Sequence, residues 1–174
     1  MIEDDILILR KPVKKDKSQV MAFRQAFLDC NEPIYGGGGL EKFERYEDWL
    51  NNNKVYEKNP PEGKVKGTQF MSVRKSDGKI VGMANIRHYL NDFLLRHGGH
   101  IGYCILPEER RKGYSTRQCA LALEYLKTLN VDKVLITCNK KNMASAKTII
   151  NNGGVLENEF DEDGVIVQRY WIDN

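Results

Sequence analysis

The sequence predicts an α/β fold of the α+β kind: a mixed, mostly antiparallel central sheet flanked by helices, in a single domain over residues 1–174. Three observations predict it. Strand-like and helical stretches follow one another in the order β-α-α-β-β-β-α-β-α-β-β. Two strand pairs are joined by short acidic glycine turns, "SDG" and "DEDG", which make them antiparallel hairpins. A chain of 174 residues, 41% hydrophobic and 29% charged, carries one ordinary core, with no repeats or low-complexity tails to divide it.

Each element has its own signal. "DILILRKP" alternates and stops at Pro12, as a first strand would. "SQVMAFRQAFLDC" sets Val20, Phe23, Phe27 and Cys30 on one helical face, with Ser18 placed to cap it. Gly36 to Gly39 break the pattern, which resumes as a helix carrying Leu40, Phe43, Tyr46 and Leu50 in register. "TQFMSVRKSDGKIVGMANIRHYL" folds back at Asp77-Gly78, and "GGHIGYCIL" is a further strand. A helix over 114–129 leads to the buried strand "DKVLITCN". "NMASAKTIINNGG" is a helix stopped by Gly153 and Gly154, and "VLENEFDEDGVIVQRYWID" is the closing hairpin.

Composition excludes several classes. No apolar run reaches the length of a bilayer span, and "MIEDDILILRKP" is acidic where a secretory leader needs basic residues. Cys30, Cys104, Cys119 and Cys138 are widely spaced with no CxxC pair, so no metal site and no disulfide framework are expected. Reduced, mostly buried thiols point to the cytoplasm. The net charge of +3 names no polyanionic partner.

Local charge is more telling. In "LPEERRKGYSTRQCALALEYL" a strand passes through Pro107, two acids and Arg110, Arg111 and Lys112 into Gly113, then into an amphipathic helix. The first N–H groups of a helix lack partners, and its dipole adds positive charge, so an anion settles there. Glycine lets that anion approach the backbone. "RRKGYS" thus fits a pyrophosphate cradle; it also fits a plain turn with solvated cations, and these six residues alone leave both open. Gly36 to Gly39 follow no apolar strand and precede no Lys-Ser/Thr pair, which excludes a P-loop. The dinucleotide fingerprint, with its three spaced glycines, is absent here. Three adjacent cations without an aromatic platform argue against nucleic acid.

"RRKGYS" resembles the R/Q-x-x-G-x-G/A motif of the GNAT superfamily, the acyl-CoA-dependent N-acyltransferases. The strand "HIGYCILPEE", the helix "TRQCALALEYLKTL" and "DKVLITCNKKNMASAKTIINNGG" follow in that family's order. "NIRHYLNDFL" and "GGHIGY" are similar to a bacterial branch of predicted acetyltransferases. The resemblance is strong from about Thr68 to Gly154 and loose at both ends. It implies a splayed strand pair that holds acetyl-CoA as cosubstrate, and it leaves a homodimer open. The loop Arg110, Arg111, Lys112, Gly113, Tyr114 and Ser115 would hold the pyrophosphate, with the Thr116 hydroxyl adding a contact. Tyr103, Cys104, Ile105 and Leu106 would offer backbone groups to the pantetheine arm. Asn142 matches the family's asparagine beside that arm, with Ser145 on the same side. Ser115 stands where glycine or alanine is usual. Ile149 stands where many members carry the tyrosine that protonates the departing thiolate, so the acid is in doubt.

Acetyl transfer to an amine further needs a base and an N–H donor for the oxyanion. The resemblance places that donor within Cys104 to Leu106. His88 and His100, near the ends of adjacent strands, are the candidate bases because imidazole titrates near neutrality; each also fits a structural histidine. Tyr170 is the candidate for the missing acid. Arg87, Tyr89 and Asn91 share a segment placed to line the acceptor pocket. Cys104 as a nucleophile has no adjacent basic residue, which favours direct transfer. The expected acceptor is an amine of a small molecule or peptide, drawn by Glu41, Glu44, Glu47, Asp48 and Asp92 around a mouth whose four-glycine connection is mobile when empty. A non-catalytic acyl-CoA-binding or sensing domain is the alternative, suggested by Ile149.

Overall fold

The computed structural model describes residues 1–174. Strands β1 (Ile2–Glu3) and β2 (Leu7–Arg10) form a small hairpin, closed by Asp4, whose Oδ1 accepts the N–H groups of Ile6 and Leu7 at 2.7 Å. Helices α1 (Lys17–Asp29) and α2 (Tyr46–Lys58) follow, then the hairpin β3 (Gly67–Arg74) and β4 (Ile80–Arg87). A short helix α3 (Asp92–His97) precedes β5 (Ile101–Ile105) and α4 (Tyr114–Thr128). Strand β6 (Lys133–Asn139), helix α5 (Met143–Asn151) and the hairpin β7 (Val155–Glu162) and β8 (Val165–Asp173) complete the chain.

The strands form two sheets, an antiparallel one ordered β1-β2-β3-β4-β5 and a second ordered β6-β8-β7. Side chains alternate across the first sheet, so its two faces feed two cores. Phe70, Ala84 and Ile86 pack under α4 and α5 with Cys119, Ala122, Leu126 and Ile149. Met71, Val73 and Met83 pack under α1 and α2 with Phe23, Phe27, Trp49 and Leu50.

The two sheets touch at one point. Gly99 bridges Ile136, the His100 N–H donates to Leu135 O at 2.7 Å, and the Leu135 N–H donates back to His100 Nδ1 at 3.0 Å. Beyond that pinch β5 and β6 belong to different sheets. This is the splayed pair the sequence resemblance implies.

Four local expectations change. Leu40 and Phe43 lie outside α2: a 3₁₀ turn covers Leu40–Lys42, and Arg45 is extended (φ −107°, ψ 128°), so the helix begins at Tyr46. Ser18 lies inside α1, with Asp16 at the position before the helix. The Asp16 carboxylate binds Arg10 and the Val13 N–H instead of capping. The expected first strand is two short ones. Helix α3, with under two turns to show a period, has its signal in Asn91, whose Oδ1 accepts the Leu94 N–H at 3.0 Å.

Candidate functional site

The first turn of α4 opens on a cavity of about 740 Å³ between β5, α4 and α5. Gly113 sits before the helix in the left-handed region (φ 81°), and no side chain caps the N–H groups that follow. An added Cβ at Gly113 would meet nothing within 4 Å, so the space in front of the turn is open. These donors, aimed into a cavity long enough to continue along β5, fit a phosphate group followed by an extended arm. Tyr103, Cys104, Ile105, Arg110, Arg111, Gly113, Tyr114, Ser115, Thr116, Asn142 and Ser145 all line the cavity; Leu106 and Lys112 do not.

The three cations of the loop are not equivalent. Arg110 is committed: its guanidinium grips Glu32 (2.5 and 3.1 Å), donates to Ile105 O at 3.2 Å and lies over the Phe27 ring. Lys112 binds the buried Glu109 at 2.8 Å, together with Lys79 at 2.7 Å and Arg74 at 2.8 Å. These cations, Lys112 first, hold the Glu109 carboxyl down at about 2. Arg111, exposed and in the left-handed region (φ 63°), has no carboxylate partner. Across the cavity Ser115 Oγ pairs with Thr148 Oγ1 at 2.9 Å, and Asn142 Oδ1 accepts the Ser145 N–H at 3.1 Å, which caps α5.

The ladder between β4 and β5 decides which strand groups face the slot. Arg87 N–H donates to His100 O and Leu106 N–H to Val81 O, at 2.8 and 2.9 Å. Hydrogen-bonded pairs alternate along an antiparallel ladder, so residues 102, 104 and 106 turn their backbone groups toward β4, while His100 gives its carbonyl to β4 and its N–H to β6. Ile101, Tyr103 and Ile105 turn theirs outward, toward β6. The outward N–H groups along the slot therefore belong to Tyr103 and to Ile105, the latter within the expected Cys104–Leu106 stretch, and not to Cys104 or Leu106. Burial pushes the Cys104 thiol up to about 12, which favours the thiol over the nucleophilic thiolate.

The Tyr103 phenol crosses the slot to Ser145 Oγ, 2.9 Å away. Burial drives its pKa upward, so it stays protonated. Ile149, at the family's tyrosine position, is fully buried in the core below. Tyr103 thus brings a phenol to the slot from the strand instead of the helix. Its signal was hidden because the sequence presents it only as an alternating strand residue.

The histidines and Tyr170 lie elsewhere. His88 Nε2 is 2.8 Å from Thr68 Oγ1, and its ring meets Tyr125 of α4 edge-on. His100 is buried, its Nδ1 is taken by Leu135, and burial lowers its pKa to about 4. Tyr170 is buried in the core and donates to Gln168 Oε1 at 2.8 Å. None of the three lines the cavity.

The opposite face of β5 is covered by the glycine connection. An added Cβ at Gly36 would stand 2.1 Å from Gly102 O, so these backbones are in direct contact. Trp49 Nε1 donates to Gly37 O and Gln69 Nε2 to Gly36 O, both at 2.8 Å. The connection is pinned, not free. Glu47 pairs with Lys17 on the exposed flank of α2, and Asn91 is occupied in capping α3 and bonding Gly63 O. Tyr89 is half-exposed. The Glu41 carboxylate lies near enough to Cys104 to act on its thiol, and its Oε2 is enclosed without a hydrogen-bond partner. Arg87 turns its guanidinium over Gly102 on this same face.

Comparison with known proteins agrees with this geometry. The family model described as "Acetyltransferase (GNAT) domain" matches residues 7–155. Ribosomal-protein-S5-alanine acetyltransferase from Vibrio fischeri superposes with a TM-score of 0.73 at 18% identity, over 99% of this chain and 95% of that one. Mutant forms of the spermidine/spermine N-acetyltransferase SpeG from Vibrio cholerae give 0.67 at 20% identity, over 98% and 95%. Mycobacterium smegmatis RimJ, solved in complex with CoA-disulfide, gives 0.72 at 17% identity, over 96% and 81%. At these identities the likeness is one of fold. A search of curated proteins finds no match. No helix is long and apolar enough to cross a membrane. The family match spans most of the chain, and the chain belongs to the GNAT acetyltransferase family.

Proposed function

We propose that this acetyltransferase moves acetyl from acetyl-CoA to a primary amine of a small molecule or peptide, by direct attack in a ternary complex. The observation that carries the reading is the uncapped first turn of α4 opening into the cavity along β5. The N–H groups after Gly113 and the Arg111 side chain bind the pyrophosphate. The outward backbone groups of Tyr103 and Ile105 align the pantetheine arm like an added strand. Asn142 and Ser145 close the far side of the slot.

The chain's own groups then divide the proton traffic. Glu41, through a water molecule, takes the proton of the ammonium group, which frees the nitrogen lone pair to attack the thioester carbonyl. The Tyr103 N–H stabilises the oxyanion that forms. As the carbon–sulfur bond breaks, the Tyr103 phenol gives its proton to the thiolate and CoA leaves as the thiol. The second proton of the new amide nitrogen passes through water to restore the phenol, and Glu41 releases its proton to solvent. The four free cysteines suit a reducing cytoplasm. The sensing-domain alternative rested on Ile149, and the phenol of Tyr103 in the slot weakens that support.

The test follows CoA release with an amine panel, beside thermal stability in acetyl-CoA. Wild type should gain about 2.7 kcal/mol of stability at about 100 times Kd. Gly113→Glu should lose that gain, because its carboxylate occupies the phosphate position. Tyr103→Phe and Glu41→Gln should keep the gain and lose about 10²–10⁴-fold in kcat. A wild type indifferent to both CoA and acetyl-CoA sinks the assignment. Bound coenzyme with no amine-dependent release would leave a sensing domain.

A further inference from the structure

One cation on the acceptor face has no use in the reaction just described. Arg87 ends β4, and its Nη1 reaches Gly98 O and Gly99 O only at 3.4 Å each. Nε and Nη2 donate to no protein group. No carboxylate pairs with it, and desolvation alone lowers its pKa to about 10. Every other arginine and lysine of the coenzyme loop and its supports except Arg111 is matched to an acid. Half-burying a guanidinium without a counter-charge carries a desolvation cost, which an arriving anion recovers.

The placement says which anion. Nη2 and Nη1 stand 3.3 and 3.4 Å from where a Cβ at Gly102 would be, and the Gly36 Cα stands 3.4 Å from the same point. The glycine at 102 therefore makes room for the guanidinium one residue from Tyr103, whose N–H faces the slot. One strand residue is about 3.3 Å. A group held by Arg87 thus lies within a few bonds of the nitrogen that must meet the thioester. Two parallel donors on a planar fork match a carboxylate.

Resting on the acetyl-transfer reading, we infer that Arg87 binds a carboxylate of the acceptor, which makes the acceptor an amino acid-like molecule carrying both an amine and a carboxylate. This runs against the expectation of an acidic mouth that favours purely cationic amines. Glu47 of that mouth is already answered by Lys17, whereas Arg87 is answered by nothing.

The test is a matched panel: α-amino acids, β-alanine and 4-aminobutyrate, each beside its carboxamide, with acetyl-CoA and CoA-release readout. For the accepted member, wild type should prefer the free acid by about a hundredfold in kcat/KM. Arg87→Gln should erase that preference while acetyl-CoA binding and carboxamide turnover persist. Gly102→Ala, which crowds the guanidinium without removing it, should raise KM for the acid more than for the carboxamide. Equal use of acid and carboxamide by wild type overturns the inference, whether or not the variants fold. If no amine is acetylated at all, the transfer reading falls, and calorimetry of the same acids on CoA-loaded protein decides the site. Saturable binding lost in Arg87→Gln supports it, and no binding by any acid overturns it.

Discussion

His100 is a group of near-neutral pKa that its neighbours have turned into a fastener. Buried, with Nδ1 accepting from Leu135 and its own N–H donating to Leu135 O, it has a pKa moved from 6.5 to about 4, chiefly by desolvation. Between those two values the unfolded chain binds a proton on this ring that the folded chain refuses. Its contribution is therefore complete above the window and lost as pH falls through it, by up to about 3 kcal/mol. Burial lowers His88 in the same direction. The urea midpoint of wild type should drop from about pH 7 to about pH 5, and His100→Gln, which can still accept from Leu135, should show a flatter profile. An unchanged slope in the variant would mean the ring titrates elsewhere in the window. Residue type made His100 a candidate base; which lone pair is already taken depends on a strand 35 positions away and cannot be read locally.

Two glycines with the same sign of φ separate what an element needs from what its neighbour needs. Gly113 has φ 81° with open space beyond, and Gly36 has φ 69° with Gly102 O 2.1 Å from its missing Cβ. Gly113→Ala meets only backbone strain and should cost about 1 kcal/mol. Gly36→Ala would drive a methyl group into β5 and should cost at least about 3 kcal/mol, read from denaturant midpoints. Equal costs would deny the packing of the connection on the strand. The sequence showed both glycines as punctuation, and Gly113 as more, because strand, turn and helix there are consecutive. It could not show that Gly36 to Gly39 lie on β5, since that contact joins distant segments. Leu40 and Phe43 kept a helical spacing outside the helix, because packing into the α1–α2 core needs them buried whatever the backbone does.

At the scale of the molecule, the order of strands was legible and the tear between β5 and β6 was not. Both strands read as apolar runs, and only their long-range pairing shows that they meet at Gly99 and Ile136 and part beyond. The coenzyme side was legible for the same reason as Gly113: it is local. The acceptor side gathers the α1–α2 connection, the end of β4 and the middle of β5, so Arg87 could be named as a neighbour but not as an unpaired charge. The ion pairs around the coenzyme loop carry one more consequence. Arg110 is answered by Glu32, Arg74 by Asp77 and Glu109, Lys79 by Glu108 and Glu109, and Lys112 by Glu109, which leaves Arg111 as the loop's one unmatched cation before any ligand arrives. Attraction must then come mainly from N–H dipoles at contact distance, which dissolved ions screen poorly. Coenzyme affinity should weaken by only about twofold to threefold from dilute buffer to physiological ionic strength, as calorimetry over a sodium chloride series would show. A tenfold or greater loss would return the binding to free cations. Built this way, the protein keeps its hold on the coenzyme while the ionic composition around it changes.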